Sequence, residues 1–127
     1  MTFSRTAFAA NIKSLPSYQG TVSGVVFEDF VLDRVGKAIQ VNPYGQHAQR
    51  IASASRLDLG LESISVANIS FRRIQGTAAV AGTFDCDQGQ CIGIEFADVH
   101  ITGTTSNYTC KGAVQGAASN CTPMPCF

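Results

Sequence analysis

Residues 22–35 carry a spacing that few folds can use. The apolar residues there are Val22, Val25, Phe27, Phe30, Leu32 and Val35, set 3, 2, 3, 2 and 3 residues apart. A helix returns to one face every ~3.6 residues and a lone strand every second residue, so neither accounts for the run. Very short strands do. Residues 25–27 and 30–32 each read as one strand, and the corner between them takes one extra residue. The same spacing recurs at Leu61, Ile64, Val66, Ile69, Phe71 and Ile74, and again at Cys91, Ile94, Phe96, Val99, Ile101 and Thr104. Seventeen of the 18 positions are apolar, Thr104 being the exception, in a chain that is 45% hydrophobic. Self-similarity of this kind marks an array of stacked units.

The corner residue before the fourth apolar position is Asp29, Asn68 and Asp98 in the successive copies, and these are expected to stack in a column. Ile39 and Val41 supply a third strand to the first copy, and Val80, Gly82 and Phe84 to the second. The copies begin 39 and 30 residues apart, at Val22, Leu61 and Cys91, which suits a coil whose loops vary while its strands stack. Each strand then pairs in parallel with its counterpart one turn on, about 4.8 Å away. The fold class expected is all-β: a right-handed parallel β-helix of about three coils plus a disulfide-rich tail from residue 105. An antiparallel sandwich is the competing architecture, but it favours tight Asn-Gly or Asp-Gly hairpins, and the sequence has none. At 127 residues the chain is one domain at most.

Nine basic and nine acidic residues cancel, leaving no basic stripe to hold nucleic acid. No apolar run approaches the ~20 residues of a membrane-spanning helix. Five cysteines stand late in the chain among Gly, Ser and Pro, a usage typical of disulfides in an oxidising compartment. Cys86 and Cys91 are expected to pair across a short loop. Cys110 is expected to pair with Cys121 or Cys126, leaving one cysteine over. Asn68, Asn107 and Asn120 each begin an N-glycosylation triplet. These features point to a secreted, extracellular protein, yet residues 1–13 lack the apolar core of an export signal. The expectation is that an N-terminal part lies upstream.

Certain short motifs, in order, resemble the polygalacturonase-type glycoside hydrolases. They are Asn11-Ile-Lys-Ser, then Gly20-Thr-Val-Ser-Gly-Val-Val-Phe-Glu-Asp-Phe, then Ala38-Ile-Gln-Val and Tyr44. Asn68-Ile-Ser-Phe-Arg-Arg-Ile, Phe84-Asp-Cys, Cys91-Ile-Gly-Ile and the cysteine-bearing tail continue the resemblance. It implies the pectin-lyase-like β-helix and makes residues 1–127 the C-terminal fragment of one β-helix domain, whose open face pairs with missing N-terminal coils of the same protein. It also implies inverting hydrolysis of an α-1,4-galacturonan in pectin, which needs one carboxylic acid and one carboxylate and no cofactor. The family places these in Asn-Thr-Asp and Asp-Asp motifs, with a Gly-His-Gly motif nearby; none occurs here, so no catalytic residue is assigned.

What the resemblance leaves is a substrate-binding edge for pectic polysaccharide. Lys13 is assigned to a uronate carboxylate, and Tyr44 to the sugar beside the scissile bond. Asn11 stands where the family has Arg and cannot form a charged bidentate pair, which leaves the identity of the pectic polymer open. The alternative is a non-catalytic, truncated β-helix that binds pectic polysaccharide. His47 and His100 are not at metal-ligand spacing with any cysteine, so no metal site is expected. Asp85 and Asp87 flank a disulfide cysteine and are set aside as a catalytic pair, and Arg72-Arg73 reads as a solvated corner.

Overall fold

A computed structural model describes residues 1–13, 20–42 and 64–127. Every regular element in them is a strand: β1 (Thr2–Ser4), β2 (Phe8–Lys13), β3 (Gly20–Asn42), β4 (Ile64–Thr102) and β5 (Ser106–Ser119). All the pairings between them are parallel, β1 and β2 on β3, β3 on β4, and β4 on β5. A strand of 39 residues such as β4 is far longer than the usual run of ~3–10, because it winds through successive turns rather than crossing a sheet. The architecture is a right-handed parallel β-helix.

The apolar spacing produces the core directly. Val66, Ile69, Phe71, Ile74, Ile94, Phe96, Val99 and Ile101 are all at most 2% exposed. Like residues stack on like: Phe71 lies between Phe27, 5.3 Å away and nearly parallel, and Phe96, 5.0 Å away and tilted. Burying one such side chain contributes roughly 1.5–3 kcal/mol over leaving it exposed. The third strands pair as the sequence implies, with Ile39 opposite Gly82 and Val41 opposite Phe84.

The register corrects the expected corner column. Val22 pairs with Val66 and Val25 with Ile69, so the turns lie 44 residues apart there rather than 39. Gly93 packs against Asn68 and Phe96 against Phe71, which makes the next offset 25 rather than 30. The 3, 2 spacing repeats every five residues, so a slip of one strand and corner reproduces the same apolar pattern. Leu61 lies outside the described residues. Asn68 therefore falls level with Gly24 and Gly93, all three at φ between 56° and 68°. Asp29 instead falls level with Arg73, and Asp98 with Asn120, all four again left-handed at φ between 49° and 60°. Left-handed backbone suits Gly, Asn and Asp but is uncommon for Arg. Arg73 Nε donates to Asp29 Oδ1 at 2.6 Å, so a cation stands where a continuous acidic column would repel itself.

Two further segments depart from expectation. Residues 1–10, which show no apolar period, pair as β1 and β2, because Ala9 and Ala10 fit a strand without advertising a face. The tail from residue 105, expected as a disulfide-rich end, begins as a further strand. Its first part continues the stack as β5, with Tyr108 opposite Gly82 and Ala118 opposite Phe96. Small residues let this last turn sit close: a side chain at Gly116 would meet the Ile94 carbonyl.

Candidate functional site

One face of the helix collects polar side chains from four successive turns. In register, Asn11 lies opposite Gln40, Gln40 opposite Thr83, and Thr83 opposite Thr109. Their neighbours in the chain, Ile12, Val41 and Phe84, point the other way and are buried at 9%, 0% and 1% exposure. Alternation along a strand thus puts an apolar row in the core and a polar row outside it. Two residues further on, Lys13 pairs with Asn42 and Asp85 pairs with Lys111.

Lys37, at the start of the same face, ties the rows together. Its Nζ donates to Gln40 Oε1 at 3.0 Å and, one turn on, to Thr83 Oγ1 at 3.1 Å. Gln40 Nε2 in turn donates to Asn11 Oδ1 at 3.4 Å. The ammonium also stands 5.8 Å from the centre of the Phe8 ring on the preceding turn, within cation–π range. Burial holds the Lys37 pKa below the ordinary lysine value. A groove of about 320 Å³ runs beside it, lined by Lys37, Asn42, Thr83, Asp85, Thr109 and Lys111 among others.

Of the residues singled out in the sequence, Asn11 joins this hydrogen-bonded row and Lys13 takes its place on β2 opposite Asn42. Tyr44 and His47 lie outside the described residues. Lys37, Gln40, Thr83 and Lys111 carry no signal in the sequence, since only the stacking of three turns brings them together. Asp85 lines the groove, next to the disulfide that joins Cys86 to Cys91. The second disulfide joins Cys110 to Cys126 and leaves Cys121 as a buried thiol. Asn68, Asn107 and Asn120 are exposed; Asn107 Oδ1 accepts from Thr104 and Asn120 Nδ2 donates to Asp98. Among the described residues no group of three or more His, Cys, Asp or Glu could hold a metal ion.

A larger hollow of about 490 Å³ lies at the corner column, lined by Asp29, Arg73, Gln75, Asp98, His100 and others. Its cation Arg73 is already paired with Asp29 and Glu28, and Asp98 accepts from the neutral amide of Asn120, so among the described residues the hollow is acidic rather than cationic. The polar face with its cations is the better candidate despite its smaller volume.

The parallel β-helix thus carries a polar face, with lysines on it, along the stack of its turns. The model of the glycosyl hydrolases family 28 matches residues 1–121, and the chain belongs to that family. Endopolygalacturonase B of Aspergillus niger is 27% identical over 111 residues, covering 84% of this chain. A polygalacturonase of Gossypium hirsutum is 28% identical over 133 residues, covering 98% of it. The chain spans only 29% and 31% of the length of those two relatives. No solved structure gives a significant match.

Proposed function

We propose that residues 1–127 form the C-terminal part of a single β-helix domain in a secreted galacturonan hydrolase. The polar face of β2 to β5 is its substrate-binding edge. The observation that carries this reading is the row Asn11, Gln40, Thr83 and Thr109, one residue from each of four stacked turns, with Lys37 beside it. A polysaccharide lying along the axis meets a donor or acceptor at every turn, spaced by the ~4.8 Å of parallel strands. The family resemblance assigns Lys13 to a uronate carboxylate and Tyr44 to a sugar contact.

Inverting hydrolysis needs a carboxylic acid to protonate the leaving oxygen and a second carboxylate to activate water. Asp85 is the one carboxylate among the described residues that line the groove. One group cannot fill both roles in a single displacement, and this reading takes the acid and base from the motifs that the family resemblance sets upstream of Asn11. Two disulfides and three exposed glycosylation triplets support an extracellular setting.

The purified 127-residue chain should be retarded in a native gel containing polygalacturonate, yet release no reducing ends from it. Reducing-end release well above blank would overturn the division of roles and turn attention to Asp85 and Asp87. Migration unaffected by polygalacturonate would overturn the binding edge itself. The reading of the chain as a binder without hydrolysis draws support from Asp85 being the one carboxylate among the described residues that line the groove, and an upstream reading frame with two carboxylate motifs would set it aside.

A further inference from the structure

The three N-glycosylation triplets are alike in sequence, and the fold treats their asparagines differently. An N-linked sugar is joined to Nδ2 of the asparagine and is bulky. The finished fold must therefore leave that nitrogen free to point outward.

Asn68 and Asn120 both stand at corners of the coil, with left-handed φ of 56° and 54°. Asn120 Nδ2 donates to Asp98 Oδ1 on the preceding turn at 2.6 Å. Asn120 also lines the corner hollow, together with Arg73 and His100. A sugar on this nitrogen has to share the space of that bond and fill the hollow. The rest of the triplet is held too: Cys121 is buried, and the Thr122 backbone bonds to Val99 and Ile101. Asn68 is pressed against the next turn. A Cβ placed on Gly93 would stand 2.6 Å from Asn68 Oδ1, so the amide occupies space that only a glycine leaves.

Asn107 meets neither constraint. It lies near the start of β5 in a run, residues 105–107, that is exposed throughout. Its Oδ1 accepts from Thr104 Oγ1 at 3.3 Å, and its Nδ2 has no hydrogen-bond partner among the described residues. A planar amide held by its oxygen presents its nitrogen on the other arm. Tyr108 is buried, so Asn107 and Thr109 leave the strand on the opposite side from it, the side of the polar face.

The structure assigns Asn107 as the N-glycan acceptor of this chain, in preference to Asn68 and Asn120, with the sugar leaving from the last turn of the polar face. This rests on the extracellular setting proposed above. The sugar donor is an oligosaccharide carried on a lipid diphosphate. A bond forms from Asn107 Nδ2 to the anomeric carbon as the bond from that carbon to the diphosphate oxygen breaks. Nδ2 gives up one proton, and the departing diphosphate takes it. Transfer precedes the finished fold, so the fold acts through the products it can accommodate. A sugar at Asn107 displaces no bond of the folded chain, whereas one at Asn120 or Asn68 crowds a contact between turns.

The test is to express the full chain behind an export leader in a eukaryotic host and collect the folded, exported protein. An amidase that removes N-glycans, used in heavy-oxygen water, turns each formerly glycosylated Asn into a labelled Asp, and peptide mass mapping locates the label. Most chains should carry it at Asn107 and few or none at Asn68 or Asn120. Asn107→Gln should lose the glycan-dependent shift in gel mobility, and a chain with both Asn68→Gln and Asn120→Gln should keep it. Exported chain without label at Asn107, or labelled as fully at Asn68 or Asn120, overturns the assignment whether or not the variants fold. So does a mobility shift that survives Asn107→Gln. The leader supplies export, so failure here overturns this inference alone; the extracellular reading is tested separately, by where the natural protein accumulates.

Discussion

The two ends of the helix are built from the same strand pattern and finished differently. At the C-terminal end Phe127 packs edge-on against Phe84 and Phe96, each 5.5 Å away, and the Cys110–Cys126 bridge anchors the final residues. Thr122 bonds back to the strand above it, donating to Val99 and accepting from Ile101. At the other end, β1 covers residues 31–33 and β2 covers residues 37–42, but no described strand lies over residues 20–28 of β3. There Val22, Val25 and Phe27 are only partly buried, and Val26 is 49% exposed. A stacked coil buries its apolar row only where a neighbour lies on both sides. Aromatic residues and a disulfide close one end, and the open end keeps the pattern of an interior turn.

The sharpest way to test the contrast is to truncate the same column of rings at two depths. Phe71→Ala, in the fully buried middle, should cost about 3–5 kcal/mol of unfolding free energy. Phe27→Ala, at the open end, should cost about 1–2 kcal/mol, because part of its surface already meets water. Urea titrations of both variants check this, and equal losses would mean that the open end is as well covered as the middle.

The second test removes the C-terminal closure. Replacing Cys110 and Cys126 together by Ser opens a bridge between residues 16 apart, and should cost about 3 kcal/mol by unfolding at equilibrium. The Cys86–Cys91 bridge spans only 5 residues, and removing it should cost less.

The smallest effect concerns the corner column. Arg73 holds the Asp29 carboxyl below its ordinary pKa, first through their hydrogen bond. A carboxylate whose folded pKa is depressed stabilises the fold above its unfolded value of about 4, and that contribution is lost as pH falls through the lowered folded value. Asp29 is exposed, so Asp29→Asn should shift the thermal midpoint at pH 7 only slightly and flatten its decline as pH falls below about 4. Measuring the midpoint against pH for both proteins checks the sign.

The contrast also marks what a sequence can show. The strand spacing was legible because inward positions must be apolar on every turn, and Val25, Phe27 and Phe30 obey that wherever they stack. The register was not, because a pattern that repeats every five residues matches itself after a slip of one strand and corner, and Asn68 passed for a counterpart of Asp29. The first strands were hidden by their alanines. Lys37 was hidden for another reason: its partners Gln40, Thr83 and Phe8 belong to three different turns, and no local pattern joins them. Asn11 and Lys13 were legible only through a resemblance, and the structure adds that Asn11 belongs to a hydrogen-bonded row.

Hydrogen exchange of the 127-residue chain tests most directly the claim that parallel turns stack with one end closed and one open. Amides of residues 69–76, 80–84 and 94–97, each with a neighbouring turn on both sides, should exchange most slowly, and those of residues 106–119 should stay protected under the tail. Residues 20–28 should exchange markedly faster than residues 37–42 of the same strand, which β2 covers. Uniform protection along β3, or faster exchange at residues 106–119 than at residues 20–28, would contradict the account.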